Sequence, residues 1–338
     1  MKRGYMDWVK ELLPETALEK RRADILSAAL GNGFDAVIIY GDVYDADELS
    51  WWCNYTPYWC NSALILDSSG GRALVTGHNY RVNPWISELT GFAQEELIPA
   101  GPRVHVKVAE YMTGLRPDGG KIATISKYFP ESIKKALEDK GFTVETMDAA
   151  AEQQITCGDQ SERALLKKAA DILNSAIEAG MSVYAEKELN KKELCAEIEY
   201  AARKNGAMDI FIYTSDRDCK FRLALDGESA DGAWNIYVIM QYLGVWVSRG
   251  LTVGAYDTSA ELDALAAQIK PGKRPALKRN GFTVGIRPRT GADMVSSVCA
   301  ESEAVEAGSI ISVYMLDNST GAYCEKNYCV EESGAAAL

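Results

Sequence analysis

The chain has 338 residues, of which 47% are hydrophobic and 25% are charged, a composition typical of a globular protein with room for two domains. Its formal net charge of −12 argues against nucleic acid or an anionic membrane as a partner, because both bind clustered lysine and arginine. The N-terminal residues are charged again before an apolar run accumulates, and no window approaches the ~18 apolar residues of a membrane-spanning helix. We therefore expect no signal peptide and a cytoplasmic location.

The first half of the chain alternates predicted helices and strands. Residues 18–30 have helical apolar spacing and end at a Gly-Asn-Gly sequence, which is typical of a helix C-terminus. His105 alternates with apolar neighbours and is predicted to lie in a strand. Further strands are predicted at residues 35–40, 62–66, 72–76, 121–126 and 143–147, with a helix at residues 131–140. The pattern predicts an α/β domain over residues 1–156.

The second half begins with helices and continues with strands. Residues 161–179 and 187–205 are amphipathic and predict two long helices. Strands are predicted at residues 210–214, 234–242, 245–254, 282–286, 310–316 and 323–330, with a short helix at residues 260–269. Helices followed by a mostly antiparallel sheet indicate an α+β domain over residues 157–338.

The eight cysteines show no metal-binding spacing. None forms a Cys-x-x-Cys pair and the chain has only two histidines, so a zinc site is not expected. Reduced, mostly buried thiols are the expected state. A disulfide between Cys53 and Cys60 is the alternative, and neither cysteine has an evident base that would make it a nucleophile.

Several segments, in order, resemble the creatinase/prolidase/aminopeptidase P family, whose fold is called pita-bread. The resemblance covers residues 20–335 and lies in its opening helix and strand, a Thr-Pro loop, and a series of glycine-marked strands. These segments are residues 21–37, 49–57, 161–170, 244–254, 281–286, 306–313 and 324–334. The resemblance implies a creatinase-like N-terminal domain and a pita-bread C-terminal domain. One departure is the short segment between Gly254 and Gly281, where the family has a longer helical excursion.

The resemblance also implies where catalytic metal ions would bind. In that family two Asp, one His and two Glu hold a pair of divalent ions, which activate water and polarise the scissile amide. The first Asp should fall among residues 237–241 and the second near Ser248, yet residues 232–256 contain no acid. Phe282 stands at the histidine position, Tyr314 at the first Glu and Glu325 at the second. One carboxylate does not hold two hard cations, so we expect no metal and no other cofactor.

Without metal ligands the cleft would be lined by rings. Phe282, Tyr314 and Trp246 are the expected walls, and Glu325 is the candidate proton carrier. Burial would raise the pKa of that glutamate unless an arginine pairs with it. The candidate partners, which would also bind substrate, are Arg222, Arg249 and Arg287. The alternative is a residual glutamate in a structural salt bridge.

Residues 51–60 contain five aromatic side chains. In the resembled family this loop often approaches the partner's active site across a dimer, which implies a homodimer. Aromatic clusters of this kind mark interfaces or ligand walls, and the alternative is the local core of the first domain. The candidate residues are Trp52, Tyr55, Tyr58 and Trp59.

Two functions remain open on the sequence. The first is a metal-independent hydrolase or lyase that acts on a C–N bond of a small amine, amide or guanidino compound, with Glu325 as the proton carrier. The second is a catalytically inactive protein that binds a peptide or small ligand, or regulates an active paralogue as a heteromer. Conventional dinuclear metallopeptidase activity is not expected, because the ligand positions lack the required donors.

Overall fold

A computed structural model describes residues 8–57, 59–126, 128–187, 189–225, 227–254, 257–273, 277–288 and 304–338. The chain divides into two units between Ile155 and Thr156. Within the described residues, no helix is long and apolar enough to cross a membrane.

The first unit is built on a six-stranded mixed sheet with the order β4-β3-β2-β1-β5-β6. Strand β1 is antiparallel to β2 and parallel to β5. The strands are β1 (Ala36–Gly41), β2 (Ser62–Asp67), β3 (Arg72–Thr76), β4 (Leu97–Pro99), β5 (Gly120–Ile125) and β6 (Phe142–Thr146). The helices are α1 (Glu15–Gly31), α2 (Asp47–Cys53), α3 (Asn83–Thr90), α4 (Val104–Leu115), α5 (Glu131–Glu138) and α6 (Asp148–Cys157).

Both faces of this sheet are covered, and β1 shows how. Val37 and Ile39 enter the apolar cluster that contains α1 and α2, whereas Ile38 enters the cluster that contains α4 and α5. All six residues of β1 are buried, as expected for a strand between two layers of helices. The predicted α/β domain is confirmed.

The strand predicted around His105 is wrong, because this segment is helix α4. The alternation that suggested a strand covers only four residues. Val104, Val108 and Met112 are buried and recur every four residues, which is the spacing of one helix face.

The aromatic segment of residues 51–60 is partly helical and mostly internal. Trp52 and Tyr55 are fully buried in the core of the first unit, so the prediction that they form an interface or ligand wall is wrong. Arg21 and Arg22 donate to the carbonyl oxygens of Trp51 and Trp52 at the end of α2, which satisfies backbone acceptors there. Trp59 is 74% exposed. Tyr58 lies outside the described residues.

The second unit has a seven-stranded antiparallel sheet with the order β10-β11-β12-β9-β8-β7, and β13 pairs with β12. The strands are β7 (Asp209–Ser215), β8 (Trp234–Tyr242), β9 (Val245–Val253), β10 (Phe282–Pro288), β11 (Ile310–Asp317), β12 (Tyr323–Glu331) and β13 (Gly334–Ala337). The helices are α7 (Gln160–Glu186), α8 (Lys191–Lys204) and α9 (Ser259–Ala266). The predicted α+β domain is confirmed.

The two faces of this sheet differ in character. On one face, α9 packs against alternate residues of β11 and β12, among them Val313 and Tyr328, in an apolar cluster. The intervening residues, among them Tyr314 and Glu325, point to the other face, because successive strand side chains alternate. That second face carries the polar and aromatic residues of the candidate site.

Candidate functional site

A row of paired residues crosses five strands of the second unit. Gly285 pairs with Tyr314, Tyr314 with Glu325, Glu325 with Gly250, and Gly250 with Tyr237. Residues opposite one another on neighbouring strands share a face. The row therefore places a carboxylate at the centre of one sheet face, with a tyrosine on each side.

The two glycines of the row make room for rings. A Cβ at Gly285 would lie 2.5 Å from Cζ of Tyr314, and a Cβ at Gly250 would lie 2.7 Å from Cδ1 of Tyr323. These distances are below van der Waals contact, so a side chain at either position would displace a tyrosine. The glycines thus allow both rings to lie across the sheet.

Glu325 is the centre of the site and is fully buried. Its Oε1 accepts a hydrogen bond from Oγ of Ser248 at 3.0 Å. Its Oε2 accepts from Nη1 of Arg287 at 2.9 Å and from the hydroxyl of Tyr323. Both carboxylate oxygens are therefore engaged, one by a hydroxyl and the other by a guanidinium and a phenol.

A polar network holds Ser248 in place. The backbone N–H of Ser248 donates to Oδ1 of Asn327 at 2.5 Å. Nδ2 of Asn327 donates to Oγ of Ser312 at 2.7 Å. Because all three residues are buried, these bonds satisfy groups that water does not reach. The network fixes the hydroxyl that faces Glu325.

Arg287 lies between aromatic rings at the more open side of the site. Its guanidinium carbon is 4.7 Å from the ring centre of Tyr314 and 5.8 Å from that of Tyr237. Its side chain is 26% exposed, whereas that of Glu325 is not exposed. Burial is the largest single effect and would lower the pKa of Arg287, but Glu325 and the neighbouring tyrosines together outweigh it and the pKa is raised. Arg287 therefore stays cationic.

The phenols near Glu325 stay neutral. Burial raises the pKa of Tyr237, and the negative charge of Glu325 raises it further. The same two causes raise the pKa of Tyr323 well above its usual value. At neutral pH both residues are hydrogen-bonding phenols and neither is a phenolate.

The connection between β7 and β8 covers part of the site. Phe221 lies on this connection, with its ring centre 5.6 Å from that of Tyr237 and 5.2 Å from that of Tyr323. Glu228, also on the connection, accepts from Lys191 at 2.9 Å and from Arg222 at 2.8 Å. These ion pairs hold the connection near the start of α8.

The structure brings together three of the predicted site residues: Arg287, Tyr314 and Glu325. It does not bring Arg222 to them, because that guanidinium pairs with Glu228 and its side chain is 48% exposed. Trp246 is buried, and its ring stacks on that of Phe211 with the ring centres 6.1 Å apart.

Arg249 and Phe282 lie on the opposite face of the sheet, so their assignment to this site is wrong. Nη2 of Arg249 donates to Oγ of Ser259, the first residue of α9, at 2.9 Å. Arg249 also lines a cavity of about 540 Å³, which α7 helps to enclose and which Ser248 and Asn327 line as well. Phe282 packs against the apolar cluster under α9. Each differs from a residue of the Glu325 face by an odd number of strand positions, which reverses the direction of the side chain.

Several contributors were not predicted from the sequence. They are Phe221, Tyr237, Tyr323, Ser248, Ser312 and Asn327. Tyr237 and Ser248 do lie within the windows where the family's aspartates were sought. Tyr323 and Asn327 could have been found from alternation, since each is two positions from Glu325 on β12. Phe221 gave no such signal, because it lies on a connection.

The residues of this site do not fit a pair of divalent metal ions. The positions expected for acids hold phenol and serine hydroxyls, and the one carboxylate is already bound by Arg287. A guanidinium beside the carboxylate would repel an incoming cation. In the described part of the chain, no cluster of three His, Cys, Asp or Glu could hold a metal ion.

Solved structures share the fold of this chain. No protein-family model matches the chain, and no curated protein is significantly similar to it in sequence. A Xaa-Pro dipeptidase from Bacillus anthracis superposes with a TM-score of 0.69 at 14% identity, covering 95% of this chain and 97% of that chain. An X-Pro aminopeptidase from Thermotoga maritima superposes with a TM-score of 0.68 at 16% identity, covering 94% and 96%. A prolidase from Pyrococcus furiosus superposes with a TM-score of 0.68 at 16% identity, covering 93% and 98%. The chain has the pita-bread fold, as predicted.

Proposed function

We propose that this protein binds a small molecule or short peptide in its pita-bread domain and does not hydrolyse peptides through a dinuclear metal centre. The observation that carries the proposal is the ion pair between Arg287 and Glu325. It neutralises the only carboxylate that the resemblance retains at the metal positions. The partly exposed aromatic residues around the pair support binding.

The geometry argues against Glu325 as a proton carrier. A general acid or base must come within hydrogen-bond reach of the substrate proton. Glu325 has no exposed surface and both of its oxygens accept hydrogen bonds from protein donors. A substrate would have to displace those donors first. We therefore favour binding over the hydrolase or lyase hypothesis.

The accessible part of the site has the features of a binding surface. Arg287, Tyr237, Tyr314 and Phe221 are each partly exposed. Ligand sites commonly combine aromatic walls with a few fixed polar groups, which give orientation and specificity. The polar network holds Ser248 against Glu325, and Glu325 in turn holds the guanidinium of Arg287 before a ligand arrives.

Hydrolysis and binding assays on the purified chain test the proposal. We expect no cleavage of Xaa-Pro dipeptides, amino-acid amides or guanidino acids, with or without added Mn²⁺. In a thermal-shift screen of small metabolites and short peptides, we expect at least one compound to raise the melting temperature. Mn²⁺-dependent cleavage of a Xaa-Pro dipeptide would refute the proposal. Metal-free turnover that Glu325→Gln abolishes would restore the hydrolase hypothesis.

A further inference from the structure

We infer that the ligand carries a carboxylate and that the guanidinium of Arg287 binds it. The inference rests on the proposed function and names the chemical class of the ligand. Arg287 would supply the local positive charge that a pair of metal ions supplies in the resembled family.

Arg287 and Glu325 form one ion pair, but their exposure differs: the carboxylate is fully buried and the arginine side chain is 26% exposed. The negative charge therefore lies beneath the site and the positive charge faces the open side. A ligand that approaches from the open side meets a cation and phenols.

Arg287 and Tyr314 have hydrogen-bond donors that the described residues do not use. A guanidinium has five N–H groups, and among the described residues only Glu325 accepts from that of Arg287. The hydroxyl of Tyr314 likewise has no hydrogen-bond partner within the described part of the chain. Its ring lies under the guanidinium, over Gly285, so both donors reach one region of the surface. An anion placed there would accept from both.

The Arg287–Glu325 pair is neutral overall, and the phenols around it are neutral donors. A monoanion can be held by one guanidinium in the bidentate geometry that suits a planar carboxylate. A dianionic phosphate group would need further cations, and the described residues of this site offer none besides Arg287. The chemistry therefore favours a carboxylate.

The rings around Arg287 indicate what the carboxylate is attached to. Tyr237 and Tyr314 place ring surface beside the guanidinium, and Phe221 packs against the ring of Tyr237. Rings of this kind contribute apolar contact and a geometry for stacking. The expected ligand is a carboxylate on an apolar or aromatic body, such as an N-acylated amino acid or the C-terminus of a short peptide.

The test compares matched acids and amides by titration calorimetry. The probes are N-acetyl-phenylalanine, N-acetyl-leucine and a set of N-acetylated dipeptides, each as the free acid and as the C-terminal amide. A charge-assisted hydrogen bond predicts that the acid binds about 10- to 100-fold more tightly than its amide. Equal affinity of acid and amide would overturn the inference and leave the proposed binding function standing. Binding of neither form, with no stabiliser in the wider screen, would overturn the proposed function as well.

Variants assign the preference to one residue. Arg287→Gln should remove the preference for the acid, and Arg287→Lys should retain only part of it, because an ammonium lacks the planar fork. The matched control is Arg279→Gln, since Arg279 pairs with Glu261 and lies against Phe282 on the other face. It should leave both affinities unchanged. If Arg287→Gln does not fold, the affinity of the acid relative to that of its amide, measured for the wild type and for Arg287→Lys, still tests the role of Arg287. An unchanged ratio in Arg287→Lys and Arg287→Gln would refute the role of this residue.

Discussion

Arg287 on β10 and Glu325 on β12 meet across the intervening strand β11, with Nη1 of the arginine 2.9 Å from Oε2 of the glutamate. The pair spans two strand spacings because both side chains are long and lie on one face. The pair should contribute to the free energy of unfolding because it is largely buried. Removing one member of such a pair leaves the other charge without compensation. This relationship gives the first prediction.

Glu325→Gln should lower the free energy of unfolding by about 3 kcal/mol, because Arg287 would keep its charge and lose its carboxylate. The double variant Arg287→Met/Glu325→Met should recover most of that loss, since two apolar residues leave no charge unpaired. Urea denaturation of the two variants and the wild type measures both values. A Glu325→Gln protein as stable as the wild type would show that the pair does not support the fold.

Gly250→Ala should destabilise the second unit by about 1–3 kcal/mol, as overpacking typically does. The new methyl would press on the ring of Tyr323 and on Cβ of Glu325. Gly114→Ala is the control, because a Cβ there meets nothing within 4 Å and Gly114 lies in helix α4. That control should be neutral or slightly stabilising. Equal stability of the two variants would contradict the close packing at Gly250.

The lowered pKa of Glu228 predicts how the stability of the fold depends on pH. Hydrogen bonds from Arg222 and then Lys191 lower the pKa of this carboxyl from 4.5 to about 2. Since the folded pKa is below the unfolded one, the pairs stabilise the fold fully above pH ~4.5, and this contribution is lost as the pH falls towards 2. The stability difference between the wild type and Glu228→Gln should therefore be constant from pH 7 to 5 and shrink at pH 3.

Urea titrations at pH 7, 5 and 3 measure that difference, with Glu199→Gln as the control. Glu199 pairs with Arg203 on the exposed surface of α8, where an ion pair contributes little to stability. A wild-type advantage over Glu228→Gln that grows on acidification would contradict the assignment.

The purified protein should contain no stoichiometric Mn, Co, Zn or Fe. The reason is chemical: hydroxyl groups replace the expected acids, and Arg287 occupies the remaining carboxylate. Elemental analysis after purification without chelator measures the content. Addition of Mn²⁺ or of EDTA should leave the melting temperature unchanged. Two equivalents of metal per chain would contradict this account.

The order of helices and strands could be predicted from the sequence, because apolar segments predict strands without knowledge of their tertiary contacts. Strand β8 is found at the predicted residues 234–242. Helix α4 was missed because four alternating residues fit both a strand and a helix turn, and only the neighbours beyond Lys107 decide between them.

The site could be predicted only where it was known which face of the sheet each strand residue points to. The resemblance gave Tyr314 and Glu325 as two positions of one family site, and the two residues pair across β11 and β12. Ser248 and Arg249 are adjacent in the sequence, yet one faces Glu325 and the other faces α9. A motif that tolerates a shift of one residue cannot choose between them, because such a shift exchanges the two faces. The role of Phe221 depends on the path of a connection, which no periodicity encodes.

The alternation of side chains along the strands also limits what single substitutions could do at the metal positions of the resembled family. A histidine introduced at Phe282 would enter the apolar cluster under α9, away from Glu325. A glutamate introduced at Tyr314 would place a second acid beside Glu325, with the guanidinium of Arg287 to balance both. Neither substitution alone would create a site for two metal ions, because each leaves Glu325 bound by Arg287.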